Sequence, residues 1–550
     1  MTLRRPGMLA PRPRPSAILI GLALLALTAG CERKVSRPAC PPGERCLEYG
    51  NSSDPATLDP SKATGVIEAA VIDELIEGLA VSAADGSPAP GLATHWETSP
   101  DGLTWTLHLR PAVWSDGVPV TADDFVFTYR RMLDPKTGSS YAYMLYLLKN
   151  GKAVAAGKAP PQALGVTAVD AHTLRLTLEH PAPYLPQLLK HHSLYPVPAH
   201  VVQRWGDTWT RPGRYVGNGP YRLVSWKLGD YLRIEKNPLF HDAAKVCIDR
   251  IDFFPTQDKV SAERRVKRGE LDVNNSIEAN RVAFLRAKGG MAPFVHTHPY
   301  LSSVYLAFNV RDTPALKDIR VRRAIGMAID RTFITDKLLR AGQVPSTSFV
   351  PGGIAGYVPA AERPRAPWAD WPLAQRQAQA RALLAQAGYG PGHRLALTMK
   401  IPNIQPSLAG QAIQADLALI GVKLTIALQD AQVAFQSMQA GDFQVGVVGW
   451  IADYDDPMTY LGLMKSDTGS QNYGGYANPA YDALLHHADK EPDAAVRARE
   501  MASAEQIMLD DAYVAPIYTG VNLNLVSPRI TGWVDNAVDI HRALYLCMRP

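Results

Sequence analysis

The segment 105–126 constrains the fold of this 550-residue chain more than any other. Apolar and polar residues alternate over 105–109, which is the period of a strand that buries one face. Thr121 stands three residues before Asp124, the spacing of a capping box at a helix N-terminus, where an acidic side chain also suits the helix dipole. The segment therefore predicts a strand over 105–109 and a helix over 125–132.

The rest of the chain mixes both periodicities, and its second half alternates helical and strand patterns. Such alternation is typical of α/β domains in which parallel strands carry helices on their faces. A chain of this length exceeds what one core usually supports, so two or three domains are expected. Further helices are predicted over 65–78, 318–331, 373–387 and 411–419, and further strands over 173–178, 423–428 and 443–448.

The N-terminus has the pattern of an export signal. Arginines precede the apolar run 17–27, and the small residues 28–30 then precede Cys31. This order resembles a bacterial lipoprotein signal, in which the cysteine becomes the N-terminal residue and carries a lipid. We therefore predict a signal peptide over 1–30, lipidation of Cys31 and a polar tether over 31–46. The alternative is an ordinary cleaved signal peptide with Cys31 as a structural cysteine.

The charge of the chain gives no indication of a nucleic-acid partner. Removing residues 1–30 takes away four of the 57 basic residues and none of the 52 acidic ones, which leaves a formal charge of +1. Nucleic-acid binding would need basic residues clustered on one surface. Apart from the N-terminal run, no apolar stretch approaches the roughly 20 residues of a membrane-spanning helix.

Four cysteines follow Cys31, and an even number in an exported chain indicates two disulfides. Four cysteines allow three pairings. The short separation of Cys40 and Cys46 favours their pairing, which leaves Cys247 with Cys547. Free buried thiols are the alternative.

Seven further motifs occur along the chain in a fixed order. Together with 105–126, they make the chain from residue 47 to its C-terminus resemble the solute-binding proteins of peptide-importing ABC transporters, the oligopeptide-binding type of solute-binding protein family 5. The motifs lie at 57–60, 89–93, 217–221, 269–272, 320–331, 449–450 and 478–482.

The resemblance implies an α/β, periplasmic-binding-protein-like fold with three lobes, of which two large ones are hinged around an enclosed ligand cleft. Cys247 and Cys547 would both belong to the discontinuous first lobe, which makes their pairing geometrically sensible. The implied boundaries are 47–76, 199–301 and 521–550 for lobe I, 77–198 for lobe II and 302–520 for lobe III.

The same resemblance implies a function without catalysis. The chain would be a monomeric, membrane-anchored periplasmic lipoprotein that binds oligopeptides in an extended conformation. It would deliver them to the permease and ATPase of an ABC transporter in the inner membrane. No cofactor and no nucleic-acid partner are expected.

The resemblance also assigns site residues. Asp453 matches the aspartate that pairs with the ligand's N-terminal ammonium, because a buried unpaired ammonium is costly. A helix-capping role for Asp453 is the alternative, since a turn-like stretch follows it. The other matched positions are Tyr141, Val66, Trp450 and Gly449, with Asn274 and Asn275 in a segment that makes polar contacts; packing is the alternative for the aromatic residues.

The sequence differs from well-known members of the family at positions expected to face the ligand's carboxylate. Met438 and Val447 stand where well-known members of the family have arginines. The ligand is then longer, modified or capped, or its carboxylate meets Lys337 or Arg340, for which a solvated surface role is the alternative.

Other functions find less support in the sequence. Murein-derived peptides are an alternative ligand, because cell-wall recycling uses the same family. A metal–metallophore complex is another, since His296 and His298 would share a face of a strand; two histidines without a third ligand do not make a metal site. A secreted hydrolase would need a nucleophile or metalloprotease motif, and the sequence has none of the G-x-S-x-G, H-E-x-x-H or S-x-x-K type.

Overall fold

The structure is a computed structural model that describes residues 2, 40–287 and 290–549. Contacts divide the chain into residues 1–44 and residues 45–550, and the helices and strands given below lie in the second unit. Cys31 and almost all of the predicted signal peptide lie outside the described residues. In the part of the chain that is described, no helix is both long enough and apolar enough to cross a membrane.

A large mixed sheet runs through the second unit. Its order is β15-β14-β16-β12-β17-β11-β1-β10-β9-β8, with β13 on β17. The strands are β1 (Cys46–Gly50), β8 (Tyr221–Lys227), β9 (Tyr231–Lys236), β10 (Arg250–Phe254), β11 (Val273–Asn274), β12 (Val295–Phe308), β13 (Val344–Pro345), β14 (Ala396–Pro402), β15 (Lys423–Gln429), β16 (Val445–Ile451) and β17 (Val514–Val526).

Two long antiparallel strands join the halves of this sheet. β12 pairs with β17 along most of its length, and its C-terminal half, from Ser302 to Phe308, also pairs with β16. On the far side, β14 runs parallel to both β15 and β16, as the alternating pattern of the second half predicts. The boundaries of the three lobes stay a prediction.

Smaller sheets lie in the segment 80–177 and near the C-terminus. A four-stranded antiparallel sheet has the order β4-β5-β7-β6, in which β4 is an edge strand. The remaining strands are β2 (Ala80–Ser82), β3 (Pro88–Pro90), β4 (Ala93–Thr98), β5 (Thr104–Leu109), β6 (Val166–Asp170), β7 (Thr173–Thr177), β18 (Ile530–Thr531) and β19 (Cys547–Met548).

The helices are distributed along the whole unit, and a π-helix covers Phe333–Leu339. They are α1 (Val66–Leu75), α2 (Ala122–Leu133), α3 (Gly151–Ala155), α4 (Leu185–Leu189), α5 (Ala199–Trp205), α6 (Lys259–Lys267), α7 (Val282–Ala287), α8 (Pro314–Lys317), α9 (Ile319–Ala328), α10 (Leu373–Gln386), α11 (Ser407–Leu419), α12 (Ala431–Gln439), α13 (Met458–Leu461), α14 (Pro479–Ala488) and α15 (Ala494–Asp510).

The capping prediction at Thr121 is confirmed. Helix α2 begins directly after this residue, and the Thr121 amide N–H donates to Asp124 Oδ2 at 2.9 Å. Phe125 of this helix is buried in one apolar cluster with Leu107 and Leu174 of the small sheet, so the helix and the sheet remove each other's apolar faces from water. The predicted strand over 105–109 is confirmed within one residue as β5.

Several predicted elements differ at their ends. The helix predicted over 65–78 is α1, which ends at Leu75, and the helix predicted over 411–419 is α11, which begins at Ser407. The strand predicted over 443–448 is β16, displaced towards the C-terminus, because Asp442 and Phe443 continue the turn after helix α12. The helix predicted over 318–331 ends at Ala328, and the buried Arg331 guanidinium donates to backbone carbonyls of this turn, including that of Gly326 at 3.0 Å.

The predicted bridge between Cys247 and Cys547 is confirmed. The two Cα atoms are 5.3 Å apart across a sequence separation of 300 residues. Cys40 and Cys46 are also disulfide-bonded, as their predicted pairing requires. The first of these bridges ties the C-terminal strand β19 to the segment before β10.

Candidate functional site

Asp453 follows strand β16 by two residues and is held in place by its own backbone. Its amide N–H donates to Thr459 Oγ1, in helix α13, at 3.0 Å. The side chain is 8% exposed, so the carboxylate lies away from bulk water. The carboxylate itself caps no helix in the described structure, because its contacts go to a distant part of the chain.

Two tyrosines contact this carboxylate from a short 3-10 turn that covers Ala142–Leu145. The Tyr141 hydroxyl donates to Asp453 Oδ1 and the Tyr143 hydroxyl donates to Asp453 Oδ2, both at 3.3 Å. Both donors are neutral, so they satisfy lone pairs of the carboxylate without balancing its charge.

His191 also faces the carboxylate but supplies no positive charge. Its Nε2 atom lies 3.6 Å from Asp453 Oδ1. Burial, together with the neighbouring His192 and Lys190, holds the pKa of His191 well below its ordinary value, so the ring is neutral at pH 7. Among the described residues, no lysine or arginine forms an ion pair with Asp453.

The electrostatics of Asp453 follow from this environment. Burial raises the pKa of its carboxyl to about 7, against the hydrogen bonds from Tyr141 and Tyr143, which lower it. A carboxylate that is removed from water and has only neutral partners is a strong potential partner for a cation with hydrogen-bond donors. The site can therefore take up an ammonium or guanidinium group.

Gly449 and Trp450 lie on β16 just before this carboxylate. Their β12 partners are Val304 and Ser303. A Cβ atom on Gly449 would lie 2.5 Å from the Gln405 side-chain nitrogen, so a larger residue here would require the Gln405 side chain to move. Trp450 is half-buried, and its indole N–H is buried without a hydrogen-bond partner, which leaves a donor available.

The remaining predicted site residues form no hydrogen bond or ion pair with Asp453 in the part of the chain that the structure describes. Val66 begins helix α1 with its side chain 53% exposed. Asn274 lies on β11, which β17 and β12 separate from β16. The Asn275 side chain accepts from the Ser52 hydroxyl at 2.9 Å and donates to Asn51 Oδ1 at 3.2 Å, so its amide is engaged within the protein.

Asn274 differs from its neighbour. Its Nδ2 group donates to the Ser276 carbonyl oxygen at 2.5 Å, whereas its Oδ1 atom is buried without a hydrogen-bond partner. The structure thus brings Tyr141 and Asp453 together, with Gly449 and Trp450 on the adjoining strand, and places the asparagine pair at β11.

The residues that depart from the family pattern are apolar and buried. Met438 and Val447 belong to the cores of the molecule. Lys337 and Arg340, the alternative partners for a carboxylate, are exposed. That the positions of Met438 and Val447 face the ligand's carboxylate stays a prediction.

Sequence reasoning did not identify Tyr143 or His191 as part of the site. His191 was visible only as half of a histidine doublet, and Tyr143 only as a second tyrosine two residues after Tyr141. The histidines considered for a metal complex lie elsewhere: His296 Nδ1 is 3.2 Å from Asp535 Oδ1, and His298 Nδ1 is 2.8 Å from the Pro299 carbonyl oxygen.

We expect Tyr143→Phe to raise the pKa of Asp453 above about 7, because the substitution removes a hydrogen bond that stabilises the ionised carboxylate. The change is measured by infrared difference titration of the carboxyl band, with Asp453→Asn identifying the signal. Tyr129→Phe is the matched control, since this buried hydroxyl has no hydrogen-bond partner. An unchanged titration in Tyr143→Phe would contradict the described contact.

Known proteins resemble this chain over most of its length. The profile of bacterial extracellular solute-binding proteins, family 5 Middle, matches residues 87–472. The periplasmic oligopeptide-binding protein OppA of Salmonella typhimurium is 35% identical over 530 residues, which are 94% of this chain and 96% of the relative.

Solved structures give the same result. Haemophilus influenzae OppA in complex with RPPGFSPFR has a TM-score of 0.87 at 32% identity, covering 92% of this chain and 99% of that one. The Escherichia coli murein tripeptide binding protein MppA has a TM-score of 0.87 at 35% identity, with the same coverage. An unliganded open form of MppA reaches a TM-score of only 0.67 at 35% identity, covering 92% and 98%.

Proposed function

This chain belongs to the bacterial extracellular solute-binding proteins of family 5, and we propose that it binds oligopeptides between its lobes and delivers them to an ABC importer. The fold is α/β and periplasmic-binding-protein-like, in keeping with its structural neighbours. Its family is one of substrate-binding transport proteins, and we propose binding and delivery without catalysis.

The observation that carries the proposal is the uncompensated carboxylate of Asp453. A peptide has an ammonium group at its N-terminus with three N–H donors, which matches a buried carboxylate that lacks a cation. Tyr141 and Tyr143 orient the two carboxylate oxygens, leaving further lone pairs for the ligand.

Strand β16 supports an extended ligand. It pairs with β14 only at Val445 and Gly446, whereas its pairing with β12 continues to Ile451. Among the described strands, none covers the second edge of residues 447–451. An extended peptide can add to such an edge through main-chain hydrogen bonds, which give affinity without reading side chains.

Closure around the ligand is part of the proposal. The segment 141–191 contacts the segment 453–497 at the carboxylate and beyond it: Lys152 Nζ is 2.5 Å from Asp467 Oδ2, and Tyr184 stacks on Tyr454 with ring centroids 5.7 Å apart. The similarity to a complex and the lower similarity to an open form support a closed arrangement here. We propose that these contacts form when the lobes close by hinge motion.

A murein peptide is the second candidate ligand. The similarity to MppA, which equals that to OppA in TM-score, favours it. Both ligand classes can present an amine to Asp453, so the carboxylate alone does not distinguish them.

The experiment is native mass spectrometry of the 32–550 fragment purified from cells, with identification of what co-purifies under denaturing conditions. Peptides that are present in the unmodified fragment and absent from Asp453→Ala support the proposal. Masses of murein peptides select the second candidate. A metal complex, or peptides that are unaffected by the substitution, would overturn the assignment of the ligand or of the site.

Location and anchoring complete the proposal. We place the chain in the periplasm as a monomer, attached to the membrane by a lipid on Cys31, which supports encounter with a membrane permease. Labelled palmitate should be incorporated into the unmodified chain in cells and not into Cys31→Ser. Incorporation that survives this substitution would contradict the anchor.

Peptide affinity should depend on pH through Asp453. Its pKa is raised to about 7, so below this pH the ligand-free carboxyl is protonated and must lose its proton before it pairs with an ammonium. We therefore expect Kd to rise as pH falls below about 7, approaching tenfold per pH unit. Isothermal titration calorimetry from pH 5 to 8 measures it. Asp453→Asn should show a flat acid limb; a slope that persists in this variant would assign the effect to another group.

A further inference from the structure

A second cluster of ligand-type side chains lies on the small sheet, away from the residues of the peptide site. His95 and Glu97 are two residues apart on edge strand β4 and share a face, and His108 stands directly opposite His95 on β5. One ligand atom from each residue lies within 4.8 Å of the other two. From this cluster we infer that the chain has a surface binding site for Zn²⁺.

The spacing of two of the ligand atoms already suits a shared ion. Glu97 Oε1 lies 3.6 Å from His108 Nε2. Two ligands of one tetrahedral Zn²⁺, with bonds of about 2.0 to 2.1 Å, lie roughly 3.3 to 3.5 Å apart. His108 Nε2 is also buried without a hydrogen-bond partner, which leaves the nitrogen available to a metal.

Thr94 selects the nitrogen of His95 that faces the ion. The Thr94 hydroxyl has one proton, which it donates to the His108 carbonyl oxygen at 3.1 Å. Its oxygen, 3.0 Å from His95 Nδ1, must then accept the Nδ1–H of the ring. His95 Nε2 therefore carries the lone pair. The Thr94 hydroxyl orients the ring as hydrogen-bond acceptors on the other ring nitrogen orient metal-bound histidines.

Two imidazoles and one carboxylate are a ligand set of the kind found around zinc. The His95 and His108 rings lie stacked, with centroids 4.4 Å apart and planes 11° apart. Binding would tilt the rings so that their lone pairs converge on one ion. Water would complete the fourth position because the cluster lies at the surface.

A second group with similar composition does not fit the same role. His487 Nδ1 lies 2.7 Å from Glu500 Oε1, with Glu491 nearby. The hydrogen bond with Glu500 raises the pKa of His487, which favours a protonated imidazolium. A metal at this ring would compete with a proton that the carboxylate helps to hold, so the group is less suited to zinc than the cluster on the small sheet.

The test is titration of the EDTA-treated, dialysed mature chain with Zn²⁺ by calorimetry, together with Co²⁺ absorption as a report of tetrahedral geometry. We expect one Zn²⁺ per chain, and a loss of affinity of at least about tenfold in each of His95→Ala, His108→Ala and Glu97→Gln. His172→Ala, another histidine of the same sheet region, and His487→Ala are the matched controls and should bind as the unmodified chain does.

Two further measurements test whether each variant is still folded. Circular dichroism and peptide binding should be unchanged in all five variants, which separates loss of the metal site from loss of the fold. Glu97→Gln keeps the shape of the side chain and removes only its charge, so its effect reports ligation. Unaltered Zn²⁺ binding in the His95→Ala, His108→Ala double variant, or loss of binding in His487→Ala, would overturn the proposal.

Discussion

Asp453→Ala should weaken binding of a co-purified peptide by at least about 30-fold, because removing one partner of a desolvated charge pair costs about 2 to 5 kcal/mol. The loss arises mainly from the ligand, whose ammonium would stay enclosed without a counter-charge. Asp453→Asn, which keeps the shape of the side chain and a carbonyl oxygen for the tyrosines, should lose affinity for the same reason. Calorimetry at pH 7.5 measures both dissociation constants.

N-terminal acetylation of the peptide supplies the control. Acetylation removes the ammonium, so it should weaken binding to the unmodified protein strongly and binding to Asp453→Ala little. This double cycle isolates the pairing between carboxylate and amine from other effects of either change. Equal losses on acetylation in both proteins would show that Asp453 does not bind the amine.

The ligand-free protein should respond in the opposite direction. A native pKa raised above the unfolded value means that ionisation of Asp453 lowers the free energy of unfolding as pH rises from about 4 to 7. Asp453→Asn removes this loss, so the ligand-free variant should unfold at a higher temperature than the unmodified protein at pH 7.5. A residue that served only packing would not separate stability from binding in this way.

Removal of the Cys247–Cys547 bridge should have the largest effect on stability. The bridge closes a loop of 300 residues in the unfolded chain, and the loop-entropy relation gives about 5 to 6 kcal/mol for a loop of this length. Cys247→Ser with Cys547→Ser should therefore lower the free energy of unfolding by about this amount. Urea denaturation followed by tryptophan fluorescence measures it, with the reduced unmodified protein as comparison.

The two cysteines Cys40 and Cys46 provide a matched control. Their predicted pairing closes a short loop, for which the same relation gives about 2 kcal/mol. Cys40→Ser with Cys46→Ser should thus cost less than half as much as loss of the long bridge. Equal losses from the two double variants would contradict loop entropy as the source of the stabilisation.

Local patterns predicted much of the fold. The strand β5 and the capping box before helix α2 could be read from 105–126 because a strand repeats every two residues and a cap acts over three. The ends of β16 and α9 could not, because a turn after α12 and the buried Arg331 decide where these elements stop. Arg331 also donates to the Pro516 carbonyl oxygen at 2.8 Å, a contact with a residue far away in the sequence.

The sequence predicted one part of the candidate site, and packing decided the rest. A motif match led to Asp453, but its partners Tyr141 and Tyr143 lie more than 300 positions earlier in the chain. No periodicity links segments at that distance. The raised pKa of Asp453 depends on burial between those segments, which only their packing creates.

In the proposed Zn²⁺ site, the sequence determined one part of the arrangement and the tertiary structure decided the other. His95 and Glu97 share a face because strand side chains alternate, and the sequence determined that much. The position of His108 opposite His95 depends on the register of β4 and β5, in which an irregularity follows Ala93. A shift of one residue would turn His95 to the other face. The sequence thus determined the strands, the caps, the family and the residue types of both sites. Tertiary packing decided which side chains meet and which carboxylate is left without a counter-charge, because burial and long-range contacts form only when distant segments pack together.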